Sequence, residues 1–235
     1  MLEFIHMTAV YSNAVLVAVL PHFSDVAKKL DLPIAQPITT NQVIWLSPLH
    51  IKGRVGCGVV LTNHYWFQFT SGYVASFRSP DDWFAEQDPA ANVSHYIGKD
   101  NMTTNEAIKF ARNSFRKLGC KPKMFHVDAS PTKLEGPFDS KKSGHVPYCR
   151  IEWESPEATT REEHDNSYKI QFDNDMQRQQ VVGMVLISTN FWRPPPKLDV
   201  ETELESDYQK RISGKMFIRT NAPPHWPTNK TPDTE

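Results

Sequence analysis

"MTTNEAIKFARNSFRKLG", residues 102–119, is a helix marked at both ends, and its two faces decide the fold class. Thr103 and Glu106 have the spacing of a capping box, in which a hydroxyl and a carboxylate each accept a free amide of the first turn. Ala107, Ile108, Ala111, Phe115 and Leu118 recur on one side. Lys109, Arg112, Asn113, Arg116 and Lys117 take the other, and Gly119 supplies the left-handed residue that ends the helix. A helix apolar on one side only is built to lie on a sheet.

The sheet is predicted by the segments that follow: "KMFHVDA" (123–129), "PYCRIEWES" (147–155), "SYKIQFD" (167–173) and "QVVGMVLIS" (180–188). All carry β-branched or aromatic residues with some alternation. In the third, Tyr168, Ile170 and Phe172 share one face and Lys169, Gln171 and Asp173 the other, as in an antiparallel sheet packed on one side and wet on the other.

The first part of the chain repeats this order. A helix is expected over 13–30, where Phe23, Val26, Ala27 and Leu30 form an i, i+3, i+4, i+7 set. Pro21 either kinks it or opens a shorter one, and the apolar run before Pro21 reads equally as a buried strand. Strands follow over 41–48, 56–63, 64–70 and 73–79. "FTSGYV" (69–74) is a tight hairpin with glycine at positive φ, setting Tyr65, Phe67 and Phe69 against Tyr73, Ala75 and Phe77. "SPDDWFAEQ" (79–87) has the cap, proline and acids of a short helix start.

The fold class is therefore α+β, as two tandem helix-on-antiparallel-sheet units of cystatin-like αβββ order, spanning 1–98 and 99–190. The linker falls within "DPAANVSHYIGKDN" (88–101). A proline-rich extension with one short helix, over 200–210, fills 191–235.

Composition excludes some functions. The 26 Lys and Arg against 27 Asp and Glu leave no positive field for a nucleic-acid backbone. The basic pieces "KLGCKPK" (117–123) and "DSKKSG" (139–144) read as solvated loops. "AVLVAVL" (14–20) is too short to span a bilayer, and no signal peptide is readable before it, so a soluble protein of unassigned compartment is expected. Cys57, Cys120 and Cys149 form no CxxC pair; Cys120 and Cys149 are either a disulfide or buried thiols.

Chemistry-bearing motifs are sparse. GxSxG, P-loop and GxGxxG patterns are absent, and no histidines have metal-ligand spacing, so no cofactor or metal is expected. "GRVGCG" (53–58) precedes a strand and reads as a loop or bulge, "FDNDMQ" (172–177) as a turn and "REEHDN" (161–166) as a polar loop. Aromatic residues are the better leads. Trp66 and Trp153 are offset from the inferred core faces, and with Tyr73 they are candidate binding residues unless they pack between the halves.

The stretch 102–119, taken with "SYKIQFDNDMQRQQVVGMVLIS" (167–188), resembles the PepSY type of domain, related to peptidase propeptides. Glu106 and Ala107 match its helix pattern and Tyr168 its strand pattern, while its acidic, glycine-containing closing turn has no counterpart here. The resemblance implies a cystatin-like unit that binds proteins or restrains peptidases without catalytic residues. The expected function is thus a non-catalytic module for a protein or peptide partner. Its rival is an enzyme or small-molecule-binding protein with a site between the halves, assembled from His64, His95, His126 and the acids of 162–165.

Overall fold

The computed structural model of the chain describes residues 9–51, 54–70, 72–82, 99–140, 144–156 and 158–188. Helix α1 (Ala9–Lys29) is followed by β1 (Val43–Ile51), β2 (Arg54–Leu61), β3 (Trp66–Thr70) and β4 (Tyr73–Arg78). Helix α2 (Thr104–Lys117) is followed by β5 (Lys133–Glu135), the hairpin strands β6 (Phe138–Ser140) and β7 (Gly144–Val146), and β8 (Tyr148–Glu154). Helix α3 (Arg161–Asn166), β9 (Tyr168–Asp175) and β10 (Gln180–Ser188) complete the described elements.

Eight strands form one antiparallel sheet in the order β1-β2-β3-β4-β10-β9-β8-β5. Helices α1 and α2 are each followed by four strands of this sheet, one more than the expected αβββ order. The two sets meet where β4 pairs with β10, through Phe77↔Met184.

The helix that decides the fold class is formed as its sequence dictates. The Thr103 hydroxyl accepts from Glu106 N–H at 3.3 Å, Glu106 accepts from Thr103 N–H at 2.7 Å, and Gly119 has φ +90°. Replacing Thr103 with alanine removes one acceptor at the exposed start of α2. It is expected to cost about 1 kcal/mol in urea unfolding, without loss of fold.

Helix α1 runs through Pro21. Val17, whose carbonyl loses its amide partner to the proline ring, lies on the exposed side. Phe23 stacks on Phe67 at 4.9 Å between ring centroids, and Phe23, Val26, Ala27 and Leu30 are all buried. Both helices contribute to one hydrophobic core on one face of the sheet.

Cross-strand pairing shows how that core is made. Leu46, Val59, Phe67, Phe77, Met184, Phe172, Ile151 and Leu134 stand opposite one another in turn, one from each strand across the sheet. The six inner members are buried. Paired residues in an antiparallel sheet share a face, so a single register locks an apolar row across both halves.

Five expectations need correction, the first being "FDNDMQ": Phe172, Asp173, Asn174 and Asp175 continue β9, and the turn begins only at Met176. "KMFHVDA" is a turn of 3-10 helix (Pro122–Phe125) that His126 ends at φ 51°, because Pro122 starts the turn and Phe125 packs edge-on against Phe115. "REEHDN" is a short helix, opened by Glu163, which accepts from Thr159 and Thr160 amides at 2.8 Å. β2 begins at Arg54, two residues before the expected strand, so "GRVGCG" is strand from its second residue rather than a loop or bulge, and a Cβ on Gly56 would meet the Phe69 carbonyl oxygen. The β3–β4 hairpin has Gly72 at φ +81°, as expected, but a bulge at Ala75 puts Val74 opposite Phe69 and Tyr73 opposite Thr70.

Cys57, Cys120 and Cys149 form no disulfide and all are buried. Burial pushes the Cys120 and Cys149 thiols up to about 12, and for Cys149 the Asp173 and Asp100 charges add to it. His95, most of 79–87, most of the proposed linker and all of 191–235 lie outside the described residues.

Candidate functional site

The residues one step along each strand from the apolar row face away from the helices. On one side the row reads Trp45, Val60, Trp66, Arg78, Gly183, Asp173, Arg150 and Glu135. On the other it reads Ser47, Gly58, Gln68, Ser76, Val185, Gln171, Glu152 and Lys133. Strand alternation thus sorts the apolar residues under the helices and a polar band onto the opposite face.

This band is not the wet face that alternation alone suggests. Asp173 is 2% exposed, and Gln171 and Glu152 are also buried. The polar side chains lie across one another. Arg150 donates to both Asp173 carboxylate oxygens, at 2.7 and 3.0 Å, and Gln171 donates to Asp173 at 3.0 Å. Burial works against charge on Arg150, but its bonds to Asp173 and the nearby acids outweigh that, so the guanidinium is held above its ordinary value.

Two buried carboxylates crowd the middle of the band. A Cβ on Gly183 would stand 2.7 Å from an Asp82 carboxylate oxygen and 2.9 Å from one of Asp173. The absence of a side chain at Gly183 therefore leaves the space that both acids occupy, where β10 meets β4.

An open groove of about 1070 Å³ lies farther along the same face. Its floor is the cross-strand set Ile187, Lys169 and Glu154 with the neighbouring Glu152 and Lys133. Thr132, Ser155, Pro156, Ala158, Ser167 and Tyr168 close its sides. Glu152 accepts from Lys169 at 3.2 Å, and Lys133 pairs with Glu135 at 2.6 Å, so each floor lysine has a carboxylate partner. The groove crosses four strands, roughly 14 Å at the roughly 4.8 Å spacing of neighbours, the reach of about four extended residues.

The three aromatic candidates are not brought together. Trp153 stands opposite Ile170 on the helix side and is 1% exposed, with its indole N–H donating to the Ala129 carbonyl at 3.2 Å and the Arg112 guanidinium over its ring. Tyr73 is buried and its hydroxyl lies 3.4 Å from the Leu186 and Ser188 carbonyls. Trp153 and Tyr73 are thus packed within the fold. Trp66 is half-buried in the polar band, with the Arg78 guanidinium 5.7 Å from its ring centre.

Two histidines of the rival reading, His64 and His126, take left-handed backbone conformations at φ 62° and 51°. Among the described residues no three His, Cys, Asp or Glu side chains converge as a metal centre, and no helix is long and apolar enough to cross a membrane. The groove floor and the Arg150–Asp173 pair were missed from the sequence, although the alternation of Arg150 and Glu152 with Ile151 and Trp153 was its signal. No family model, curated protein or solved structure matches the chain.

Proposed function

We propose that this chain is a non-catalytic binding module whose groove at the β8–β9 end of the sheet receives an extended protein segment. The groove itself carries the reading: it is open, of peptide dimensions, and floored by the Lys169–Glu152 pair with Lys133 and Glu154 beside it, between apolar contacts at Ile187 and Pro156. Charged groups at a half-dry surface bind backbone and side-chain dipoles of a strand-like ligand, while the apolar contacts at Ile187, Pro156 and Ala158 set its preference. The PepSY-like reading of 102–188 belongs to the same proposal, supported by a capped helix packed on antiparallel strands.

Selection of displayed random peptides against the full chain tests it. Ile187 is half-buried on the groove floor, so Ile187→Arg fills the groove while leaving the core row untouched. Selected peptides are expected to bind the variant about tenfold more weakly or worse, a loss of about 1.4 kcal/mol. Unchanged affinity of every selected peptide would place binding elsewhere.

The second reading is a small-molecule or enzymatic site at the meeting of the halves. The observation favouring it is the burial of Asp82 and Asp173 beside Arg150.

A further inference from the structure

His145 of β7 lies between two carboxylates from different parts of the chain. Its Nε2 is 2.8 Å from Asp100, in the segment leading into α2, and its Nδ1 is 2.8 Å from Asp139 of β6. A neutral imidazole has one N–H and one lone pair, so it can donate to only one of them; the other nitrogen would then face a carboxylate oxygen without a proton between. Imidazolium satisfies both contacts at once.

We propose that Asp100, His145 and Asp139 form a pH-operated clasp that fastens the β6–β7 hairpin to the entrance of α2 and opens when the imidazolium loses its proton. Among the described residues the hairpin's other ties are its own strand pairing, a small apolar cluster and, just past its last strand, the bond that Met176 N–H donates to the Pro147 carbonyl at 2.7 Å. The hairpin contains three cross-strand pairs, Phe138↔Val146, Asp139↔His145 and Ser140↔Gly144, and its Val146 and Phe138 pack with Tyr148 and Val182 in a small cluster. A two-stranded ribbon of this size is marginal alone.

The entrance of α2 is independently anchored, because Asn101 donates its backbone N–H to Met176 at 3.0 Å and its side-chain amide to Gln177 at 2.6 Å. Opening the clasp therefore frees the hairpin and leaves α2 seated.

Among the described residues, the charges acting on the ring are Asp139 and Asp100; the neighbouring Cys149 thiol, pushed up to about 12, is neutral. Hydrogen bonds to Asp139 and then Asp100 hold His145 above its ordinary 6.5. The clasp is complete below that value and is lost as pH rises through the raised folded-state value.

Hydrogen exchange of the hairpin amides in the full chain, corrected for intrinsic pH dependence and followed from about pH 5 to about pH 9, tests this beside a ring titration of His145. Wild-type protection is expected to fall severalfold with a midpoint that coincides with the ring titration and lies above 6.5. His145→Gln should lack the transition and keep the low protection throughout. Asp139 is 89% exposed, so Asp139→Asn preserves the fold and should move the midpoint down. A ring titrating at or below 6.5, or hairpin protection that ignores its charge, would overturn the clasp.

Discussion

Arg150→Met is expected to lower the unfolding free energy by about 3–5 kcal/mol, the cost of leaving a buried carboxylate without its partner. Asp173 is nearly inaccessible, and both its oxygens accept from Arg150, with Gln171 donating to one of them. Methionine retains much of the stem packing, so the loss isolates the guanidinium. The double variant Arg150→Met, Asp173→Leu should recover most of the loss, since apolar residues of similar volume replace buried pairs at little net cost. Urea unfolding of the wild type, the single variant and the double variant measures both. A single variant as stable as wild type would show that Asp173 is solvated. The exposed Lys117–Asp31 pair at 2.8 Å is the contrast, because both side chains are more than half exposed and its loss should cost no more than about 1 kcal/mol.

Trp153→Ala is expected to be of similar size, about 3–5 kcal/mol, as for other large side chains deleted from a packed core. The indole fills space between β8 and α2, under the Arg112 guanidinium, and its N–H reaches Ala129. Arg112 also donates to the Val127 and Ala129 carbonyls at 2.7 Å, so the deletion loosens the loop that α2 holds. Thermal unfolding reads the loss, and peptide affinity measured well below the transition should stay the same. A stable Trp153→Ala variant with reduced affinity would return Trp153 to the binding surface.

The contrast between Trp153 and Trp66 shows what was legible in the sequence. Capping, one-sided apolar spacing and the Ser-Gly hairpin are local properties, and α2, most strands of the sheet and the β3–β4 turn follow them. Period-2 alternation also contained the correct face of Trp153, two residues beyond Ile151. The register that joins Phe77 to Met184 is set by packing between segments about a hundred residues apart, and no local pattern specifies it.

The candidate site was less legible for the same reason. Arg150 and Asp173 acquire meaning only when β8 and β9 pair, and Lys133 joins Glu152 only through β5. Gln171 and Asp173 read as solvent-facing because alternation reports which face a residue takes, not what lies across that face. The Ala75 bulge likewise broke the expected set of Tyr73, Ala75 and Phe77, a tertiary override of a regular local pattern.

Mapping a selected peptide onto the isotope-labelled chain by amide shift perturbation tests the groove most directly. The perturbed amides are expected to cluster at Lys133, Glu152, Glu154, Ser155, Lys169 and Ile187, and Ile187→Arg should abolish the pattern. Perturbations confined to Arg150, Asp173, Gly183 and their neighbours, with the groove amides unmoved, would contradict it and place recognition where the two sets of strands meet.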